Sequence, residues 1–211
     1  AYLLCTGSGF DDSSIHHCTI LIPNSGGGSG TDGISAGGSG YSIHHNIITG
    51  YFASGANGDH QDGWQALGGS FIKVYGNIFT NIGNYPVYGD GLLGDFTHLW
   101  VYNNVMRLTD PMLQAADAPQ AIAIGPDGGV FGYLGHYPTF TDVVVANNII
   151  VDYAAHAAIN LRNNSGQSSA FIGCSVKNNI RINSGGLGLD PAVEAANNAA
   201  FTAVEAAAGV F

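Results

Sequence analysis

The segment Ser42-Ile-His-His-Asn46-Ile-Ile decides the fold, because close variants of it return along most of the chain. In each copy a short strand-like run leads to an Asn that is followed by an aliphatic residue. The later copies are Lys73-Val-Tyr-Gly-Asn77-Ile-Phe, Trp100-Val-Tyr-Asn-Asn104-Val-Met, Val144-Val-Ala-Asn-Asn148-Ile-Ile and Ser175-Val-Lys-Asn-Asn179-Ile-Arg, and Ser14-Ile-His-His-Cys18 is an imperfect earlier copy. Equivalent Asn residues are 31, 27, 44 and 31 positions apart, so the chain is an internal repeat.

A second element lies between these copies and opens with Asp-Gly three times. It reads Asp32-Gly-Ile-Ser-Ala, Asp62-Gly-Trp-Gln-Ala and Asp90-Gly-Leu-Leu-Gly, and continues more weakly as Gln120-Ala-Ile-Ala-Ile and Ala157-Ala-Ile-Asn-Leu. Each unit therefore holds three short strands without helical periodicity. We expect an all-β solenoid of about six coils over residues 1–189, with coils that begin near residues 1, 32, 62, 90, 120 and 157. Residues 125–142, with two Pro and five Gly, are predicted to form a surface loop.

Stacking of the units explains the repeat, since such short strands cannot each bury a face alone. In register, one column of branched side chains lies inside the solenoid: Ile43, Val74, Val101, Val145 and Val176. The repeated Asn forms a second column, a ladder at a corner of the coil. Asn suits this corner because it tolerates left-handed backbone angles and because its amide hydrogen-bonds the copies above and below.

These repeats resemble the right-handed parallel β-helix of the pectate-lyase-like superfamily over roughly residues 14–183. The superfamily hosts lyases, hydrolases, epimerases and inert fibres on one scaffold, so the resemblance implies a fold rather than one activity. It also implies an extracellular protein, secreted or on a cell or virion surface. Thr31-Asp32-Gly33 is similar to the polygalacturonase pattern Asn-Thr-Asp-Gly, with Gly30 in place of Asn, and Gln61-Asp62 stands where that family has paired Asp.

Residues 190–211 differ from the body of the chain and are predicted to be a capping segment. Asp190-Pro191 starts an Ala-rich run in which Val193, Ala196, Ala200 and Val204 recur near helical spacing, with Gly209 after it. This pattern predicts a short C-terminal helix that covers the open end of the solenoid. The alternative is that Asn197-Asn198 belongs to another coil.

The chain carries five Lys and Arg against fifteen Asp and Glu, a formal charge of −10, and only 9% of its residues are charged. No basic cluster exists that would neutralise phosphates, and no apolar run approaches the roughly 18 residues of a bilayer span. We therefore expect neither nucleic acid binding nor membrane insertion. Three cysteines, Cys5, Cys18 and Cys174, leave two alternatives, a Cys5–Cys18 disulfide or free thiols.

Three carboxylates are the candidate catalytic groups: Asp32, Asp62 and Asp90, each before the same Gly. In register they form a column whose neighbours lie about 4.8 Å apart, near the separation of a retaining glycosidase pair. Like charges this close raise one pKa and so supply a proton donor. Asp59 and His60 add an acid and a base shortly before Asp62. The alternative is that the carboxylates cap backbone N–H groups in turns.

Aromatic and amide side chains near these groups are candidate sugar ligands. Those around the Asp strand are Trp64, Gln65, Tyr51, Tyr85 and Tyr88, and a second set forms one outward column of His16, His44, Tyr75 and Tyr102. The alternative for this column is that the rings stack across coils and only stabilise the sheet. We predict no metal site and no cofactor. The alternatives are calcium between stacked Asp residues and a transition metal on the imidazoles of His16, His17, His44 and His45.

The leading interpretation is a β-helix protein that binds a neutral or weakly charged polysaccharide and, if the Asp column is catalytic, hydrolyses it. The first alternative is a non-catalytic structural or adhesive solenoid, such as a fibre, sheath or filament subunit. The second is a polysaccharide lyase, for which Lys73 and Arg107 are the available bases, on strands other than the Asp column. One residue of each pair after the corner Asn must face outward and forms an apolar stripe, so we also expect a homo-oligomer, a trimer or a polymer.

Overall fold

The structure is a computed structural model that describes the backbone of residues 3–5 and residues 13–23, 32–50, 61–109, 119–125, 138–154, 156–162 and 170–202. Every regular element in these ranges is a β-strand, and they hold no helix with the length and apolarity of a membrane span. The strands in chain order are β1 (Leu3–Cys5), β2 (Ser14–His16), β3 (Thr19–Ile22), β4 (Ile34–Ala36), β5 (Ser42–His44), β6 (Ile47–Gly50), β7 (Asp62–Ala66), β8 (Gly69–Tyr75), β9 (Ile78–Thr80), β10 (Tyr85–Gly89), β11 (Phe96–Tyr102), β12 (Val105–Arg107), β13 (Ile122–Ile124), β14 (Thr139–Ala146), β15 (Ile149–Val151), β16 (Ile159–Leu161), β17 (Ala170–Ile172), β18 (Ser175–Lys177), β19 (Ile180–Ile182), β20 (Leu187–Leu189), β21 (Glu194–Ala196) and β22 (Ala199–Phe201).

The strands form three parallel sheets, each of which takes one strand from every coil. Sheet A has the order β1-β4-β7-β10-β13-β16-β20, sheet B the order β2-β5-β8-β11-β14-β18-β21, and sheet C the order β3-β6-β9-β12-β15-β19-β22. The additional strand β17 pairs with the first part of β14. Because neighbours in a sheet come from successive coils, the chain is a parallel β-helix, and the predicted all-β solenoid is confirmed.

A ladder of buried Asn side chains holds the coils in register, as predicted. Its central members are Asn46, Asn77, Asn104, Asn148 and Asn179. Each Nδ2 donates to the Oδ1 of the next Asn at 3.0–3.1 Å. The same oxygen accepts the backbone N–H of the donating residue at 3.0 Å, so every amide links two coils through both main chain and side chain.

The left-handed residue of this corner is the one before the ladder Asn, and the prediction that the Asn itself takes these angles is wrong. The residues concerned are His17, His45, Gly76, Asn103, Asn147, Asn178 and Asn197, with φ between 54° and 63°. The positive φ of the residue before the ladder Asn turns the chain, so that the Asn side chain points inward. There its amide reaches the neighbouring coils.

The hydrophobic core runs along the axis between the three sheets. The predicted column of Ile43, Val74, Val101, Val145 and Val176 is in register and buried. Beside it, Phe96, Phe140 and Phe171 stack with ring centroids 5.7 and 4.9 Å apart. Burial of each such side chain contributes about 2 kcal/mol, so the inward columns drive the stacking of the coils.

The predicted C-terminal helix does not form over residues 190–202, which instead add a further coil through β21 and β22. Asn198 continues the ladder, because its Oδ1 accepts a hydrogen bond from Asn179 Nδ2 at 3.0 Å. The coil alternative is therefore correct here, and residues 203–211 lie outside the described residues. Pairing with the preceding coil, such as Glu194 N–H to Cys174 O at 3.0 Å, overrides the helix propensity of the Ala-rich sequence.

The predicted surface loop at 125–142 ends earlier than expected, since β14 begins at Thr139. Residues 126–137 of that segment lie outside the described residues. Cys18 and Cys174 are free thiols, so Cys18 takes no part in a disulfide.

Candidate functional site

Asp32 and Asp62 lie in register on neighbouring coils, as predicted. They stand at the N-terminal ends of β4 and β7 in sheet A. Their carboxylates bind the backbone of the following coil. Asp32 Oδ1 accepts the N–H of Asp62 at 3.2 Å, and Asp62 Oδ1 accepts the N–H of Tyr85 at 3.2 Å. Asp62 is also fully buried, so a polymer on the outer surface does not reach its carboxyl group. This geometry favours the capping alternative for both residues.

Asp90 does not belong to this column, contrary to the prediction. Asp62 pairs with Tyr85, and β10 ends at Gly89, so Asp90 follows its strand instead of preceding it. Its Oδ1 accepts the N–H of Leu92 at 2.9 Å in a turn. The prediction for Asp90 was wrong because Asp-Gly is common in turns at either end of a strand, and here it follows β10.

Trp64 and Gln65 on β7 were both predicted to bind substrate, but they lie on opposite faces of the strand because successive side chains alternate. Trp64 points inward in register with Ile34 and Val87 and is fully buried, so it is a core residue and not a sugar ligand. Gln65 points outward and is half-buried. The predicted residues Tyr51, Asp59 and His60 lie outside the described residues.

Tyr85 and Tyr88 stack on each other outside sheet A, with ring centroids 4.7 Å apart. Together with Gln120 and Asn160 they line a polar pocket of about 10 Å³. That volume holds a single water molecule and is too small for a sugar ring.

The predicted outward column of His16, His44, Tyr75 and Tyr102 is confirmed as a continuous ring stack. Centroid separations along it are 4.9, 4.8 and 4.9 Å, with interplanar angles of 11°, 10° and 2°. Because the inner rings carry a neighbour on both faces, they expose only their edges to solvent. The stack therefore stabilises sheet B, and its inner rings offer no free face to a sugar.

His17 and His45 form a second stack beside the first, with centroids 5.3 Å apart. The two stacks contact each other through their Nδ1 atoms. These atoms lie 2.9 Å apart in His16 and His17 and 2.8 Å apart in His44 and His45. Burial, together with the three neighbouring imidazoles, holds the pKa of His44 below its ordinary value. In the part of the chain that the structure describes, no group of three or more His, Cys, Asp or Glu side chains is arranged to hold a metal ion.

A groove lies on the outside of sheet B, between Gly40 and Ser42 of the second coil and the larger Phe71, Lys73 and Tyr75 of the third coil. Its volume is about 360 Å³, within the range of small-molecule sites. The lining residues are Ser13, Gly40, Tyr41, Ser42, Phe71, Lys73, Tyr75 and Trp100. Only Tyr75 among them was predicted from the sequence to contact a ligand.

Phe71 supplies the exposed aromatic surface of this groove, with 56% of the residue accessible to solvent. One face of its ring rests on the imidazole of His98, with centroids 4.6 Å apart and an interplanar angle of 28°. The other face is directed toward the second coil, where the equivalent position is Gly40, two residues before the Ser42 that pairs with Lys73. Gly40 contributes no side chain here, and both residues line the groove.

Phe71 belongs to a column of residues in which the backbone is left-handed and sheet B bends. The column consists of Gly40, Phe71, His98, Asp142 and Gly173, with φ of 73°, 55°, 58°, 51° and 64°. Glycine takes this conformation freely, whereas a bulky side chain there costs about 1–2 kcal/mol. Three successive coils thus carry strained residues where the flanking coils carry Gly.

Asp142 connects the walls of the groove through one carboxylate oxygen. Its Oδ2 accepts hydrogen bonds from His98 Nδ1 at 2.6 Å and from Trp100 Nε1 at 3.3 Å. The ammonium of Lys73 lies 5.4 Å from the centroid of the Trp100 ring, a cation–π contact. The sequence contained no signal for this network, because His98 and Asp142 are 44 residues apart and share no motif.

The outside of sheet C carries the predicted apolar stripe. Its residues are Ile47, Ile78, Val105, Ile149 and Ile180, all in register. Ile47, Ile78 and Ile149 are 47%, 44% and 37% exposed. Arg107 lies on this sheet and Lys73 on sheet B, so both bases considered for a lyase belong to sheets other than that of the Asp column.

A β-helix alone does not specify an activity, because the same scaffold carries many unrelated sites. Comparison with known proteins gave no match to any protein-family model, curated protein or solved structure.

Proposed function

We propose that the groove beside Phe71 binds a neutral or weakly charged glycan. The observation that carries the proposal is the Phe71 ring, which is 56% exposed and lines the groove together with Gly40. An aromatic face packs well against the C–H groups on one side of a pyranose ring. The Ser42 hydroxyl and the Lys73 ammonium, on paired residues beside this face, offer hydrogen-bonding groups for sugar hydroxyls.

The backbone of Phe71 also supports a role for its ring. A bulky residue with φ of 55° is an outlier, and such strain concentrates at functional positions. Gly40 and Gly173 fill the same column without strain. A Phe at this position therefore carries a backbone cost, which its packing on His98 offsets in part, and leaves much of its ring exposed.

The proposal concerns binding and does not include hydrolysis. Asp62 is buried beneath the surface, and Asp142, whose carboxylate contacts the groove residue Trp100, accepts hydrogen bonds from His98 and Trp100. A glycosidase requires two carboxyl groups on opposite sides of the bond that is cleaved. The carboxylates described in this region do not supply such a pair.

The test is binding to a panel of neutral glycans, measured by isothermal titration for the wild type and for Phe71→Gly. Glycine suits the backbone angle, so this variant removes the ring without adding strain. Ile172→Ala is the matched control, because Ile172 is 54% exposed on the same sheet but several coils away. We expect Phe71→Gly to weaken binding at least tenfold, about 1.4 kcal/mol, and Ile172→Ala to leave it unchanged. Equal affinities for all three proteins would overturn the proposal.

We propose a self-associating structural solenoid as the second candidate function. It is favoured by the aliphatic stripe of sheet C, which presents Ile47, Ile78 and Ile149 to solvent in one line. A continuous apolar surface of this kind is typical of an association site.

A further inference from the structure

We infer that the paired histidines of the first two coils bind divalent transition metal ions, copper(II) most tightly, with one ion on each pair. The pairs are His16 with His17 and His44 with His45. None of these four residues lines the groove beside Phe71, so the inference is independent of the proposed glycan binding.

The first step is the separation of the donor atoms. The two Nδ1 atoms are 2.9 Å apart in the first pair and 2.8 Å apart in the second. An imidazole nitrogen lies about 2.0–2.1 Å from a bound divalent ion, so two nitrogens at a right angle around the ion are about 2.9 Å apart. Tetrahedral ligands, which zinc prefers, are about 3.4 Å apart. The pairs therefore match the square-planar or tetragonal geometry of copper(II) and nickel(II).

The second step is the number of ions. The rings of the two pairs stack along the solenoid axis, His16 on His44 with centroids 4.9 Å apart and His17 on His45 with centroids 5.3 Å apart. A single ion between the pairs would lie beyond bonding distance of the four nitrogens. Each pair thus holds its own ion through two imidazoles, and water fills the remaining positions. This count agrees with the finding that no three such side chains converge among the described residues.

The third step is the rigidity of the second pair. His44 lies between two stacked rings of the neighbouring coils, with centroid separations of 4.9 and 4.8 Å. His45 lies between the His17 ring and the corner residue Gly76, where an added Cβ would come within 3.1 Å of the imidazole. Both rings are therefore held from two sides. Ligands that are fixed in this way favour the ion whose geometry they match.

Exposure and charge favour a cation at these pairs. Three of the four histidines are exposed and His44 is half-buried, so the pairs are in contact with solvent. The chain carries a formal charge of −10, which raises the local concentration of cations. The turn itself does not require histidine at positions 17 and 45, because the equivalent corner residue of every later coil is Asn or Gly.

Metal binding and proton sharing use the same nitrogens. Without metal, the separation of 2.8–2.9 Å fits a hydrogen bond in which one Nδ1–H of a pair donates to the other Nδ1. When an ion binds, that proton moves to Nε2 of the same ring, so both Nδ1 lone pairs become free and the neutral pair releases no proton. The hydrogen bond thus holds the donor atoms at the separation that the ion requires.

Copper(II) titration of the metal-free protein tests the inference. A free thiol reduces copper(II), so the parent protein is Cys18→Ser, whose hydroxyl retains a donor for the carbonyl of His16. The test variants are His17→Asn and His45→Asn, because Asn occupies this corner in later coils, with φ of 56° at Asn147. Far-UV circular dichroism checks that each variant is folded.

We expect the parent to bind two more copper(II) ions at micromolar concentration than the double variant His17→Asn, His45→Asn. Each single variant should lose one of these ions, and the control His156→Gln, at an exposed histidine outside the pairs, should lose none. At one ion per chain, electron paramagnetic resonance should show two imidazole nitrogens bound to copper. Equal numbers of ions in the folded double variant and in the parent would overturn the inference, and the imidazole contacts would then be hydrogen bonds only. A single ion bound by four nitrogens would overturn the assignment of one ion to each pair.

Discussion

Phe71 packs face to face on His98 with ring centroids 4.6 Å apart, and both residues hold the left-handed backbone angles that glycine holds in the flanking coils. The two strained residues support each other, because each ring covers one face of its neighbour. Asp142, the next residue of the column, then fixes His98 through a hydrogen bond of 2.6 Å. These contacts hold the Phe71 ring in place, and a wall fixed in this way would lower the entropic cost of binding a ligand.

Acidification is expected to destabilise the first coils through His44. Its pKa is lowered from 6.5, so the unfolded chain binds more protons below that pH than the folded protein does. The free energy of unfolding therefore falls as the pH falls through this range. Urea unfolding of the wild type at about pH 8 and about pH 5.5 measures the loss.

The matched variant is His44→Tyr, which keeps the ring stack, since Tyr75 and Tyr102 continue the same column, but removes the imidazole. It should lose less stability on acidification than the wild type. His156→Gln, at an exposed histidine, serves as the control and should behave like the wild type. The same loss in His44→Tyr as in the wild type would contradict the role given to His44.

Removal of one amide from the middle of the Asn ladder should destabilise the whole solenoid. In Asn104→Ala, the N–H and Nδ2 of Asn77 lose their acceptor and the carbonyl of Val74 loses a donor. Buried groups left without partners cost about 1–3 kcal/mol each, so we expect a loss of about 3 kcal/mol or more in urea unfolding. Asn198→Ala, at the half-buried end of the ladder, should cost clearly less. Equal losses would show that position in the ladder does not matter.

Substitution of Asp62 separates the capping role from catalysis. Asp62→Ala removes the acceptor of the Tyr85 N–H and should lower the free energy of unfolding by about 1–2 kcal/mol, whereas Asp62→Asn retains an oxygen there and should cost less. Glycan affinity of the folded variants should stay at the wild-type value, as measured by isothermal titration. Loss of a glycan-cleaving activity in Asp62→Asn without loss of stability would instead identify a catalytic carboxylate.

The apolar stripe of sheet C predicts self-association. Sedimentation velocity at micromolar concentration should show species larger than the 21.7 kDa chain. Ile78→Lys places a charge in the middle of the stripe and should shift the distribution toward the monomer. Leu93→Lys, at a residue that is 68% exposed outside the stripe, should not. A monomeric wild type would rule out association through this surface under those conditions.

The sequence alone was sufficient to predict the solenoid, the inward column through Val74 and the Asn ladder through Asn104. These features repeat in every coil, so each copy confirms the alignment of the others. Residues 190–202 were predicted to form a helix because they are rich in Ala, but the ladder continues through Asn198 and the segment forms a coil. Local propensity was the weaker signal there, since the preceding coil supplies partners for the backbone.

Only the tertiary structure decided which side chains share a surface. Trp64 and Gln65 are neighbours in sequence, yet the alternation of β7 sends one to the core and the other outward. The groove brings together Gly40, Phe71 and Trp100 from three successive coils, and the Asp142 carboxylate that binds Trp100 comes from two coils beyond Phe71. Neither is visible in a repeat pattern, because a pattern records what recurs, whereas this site consists of the residues at which neighbouring coils differ.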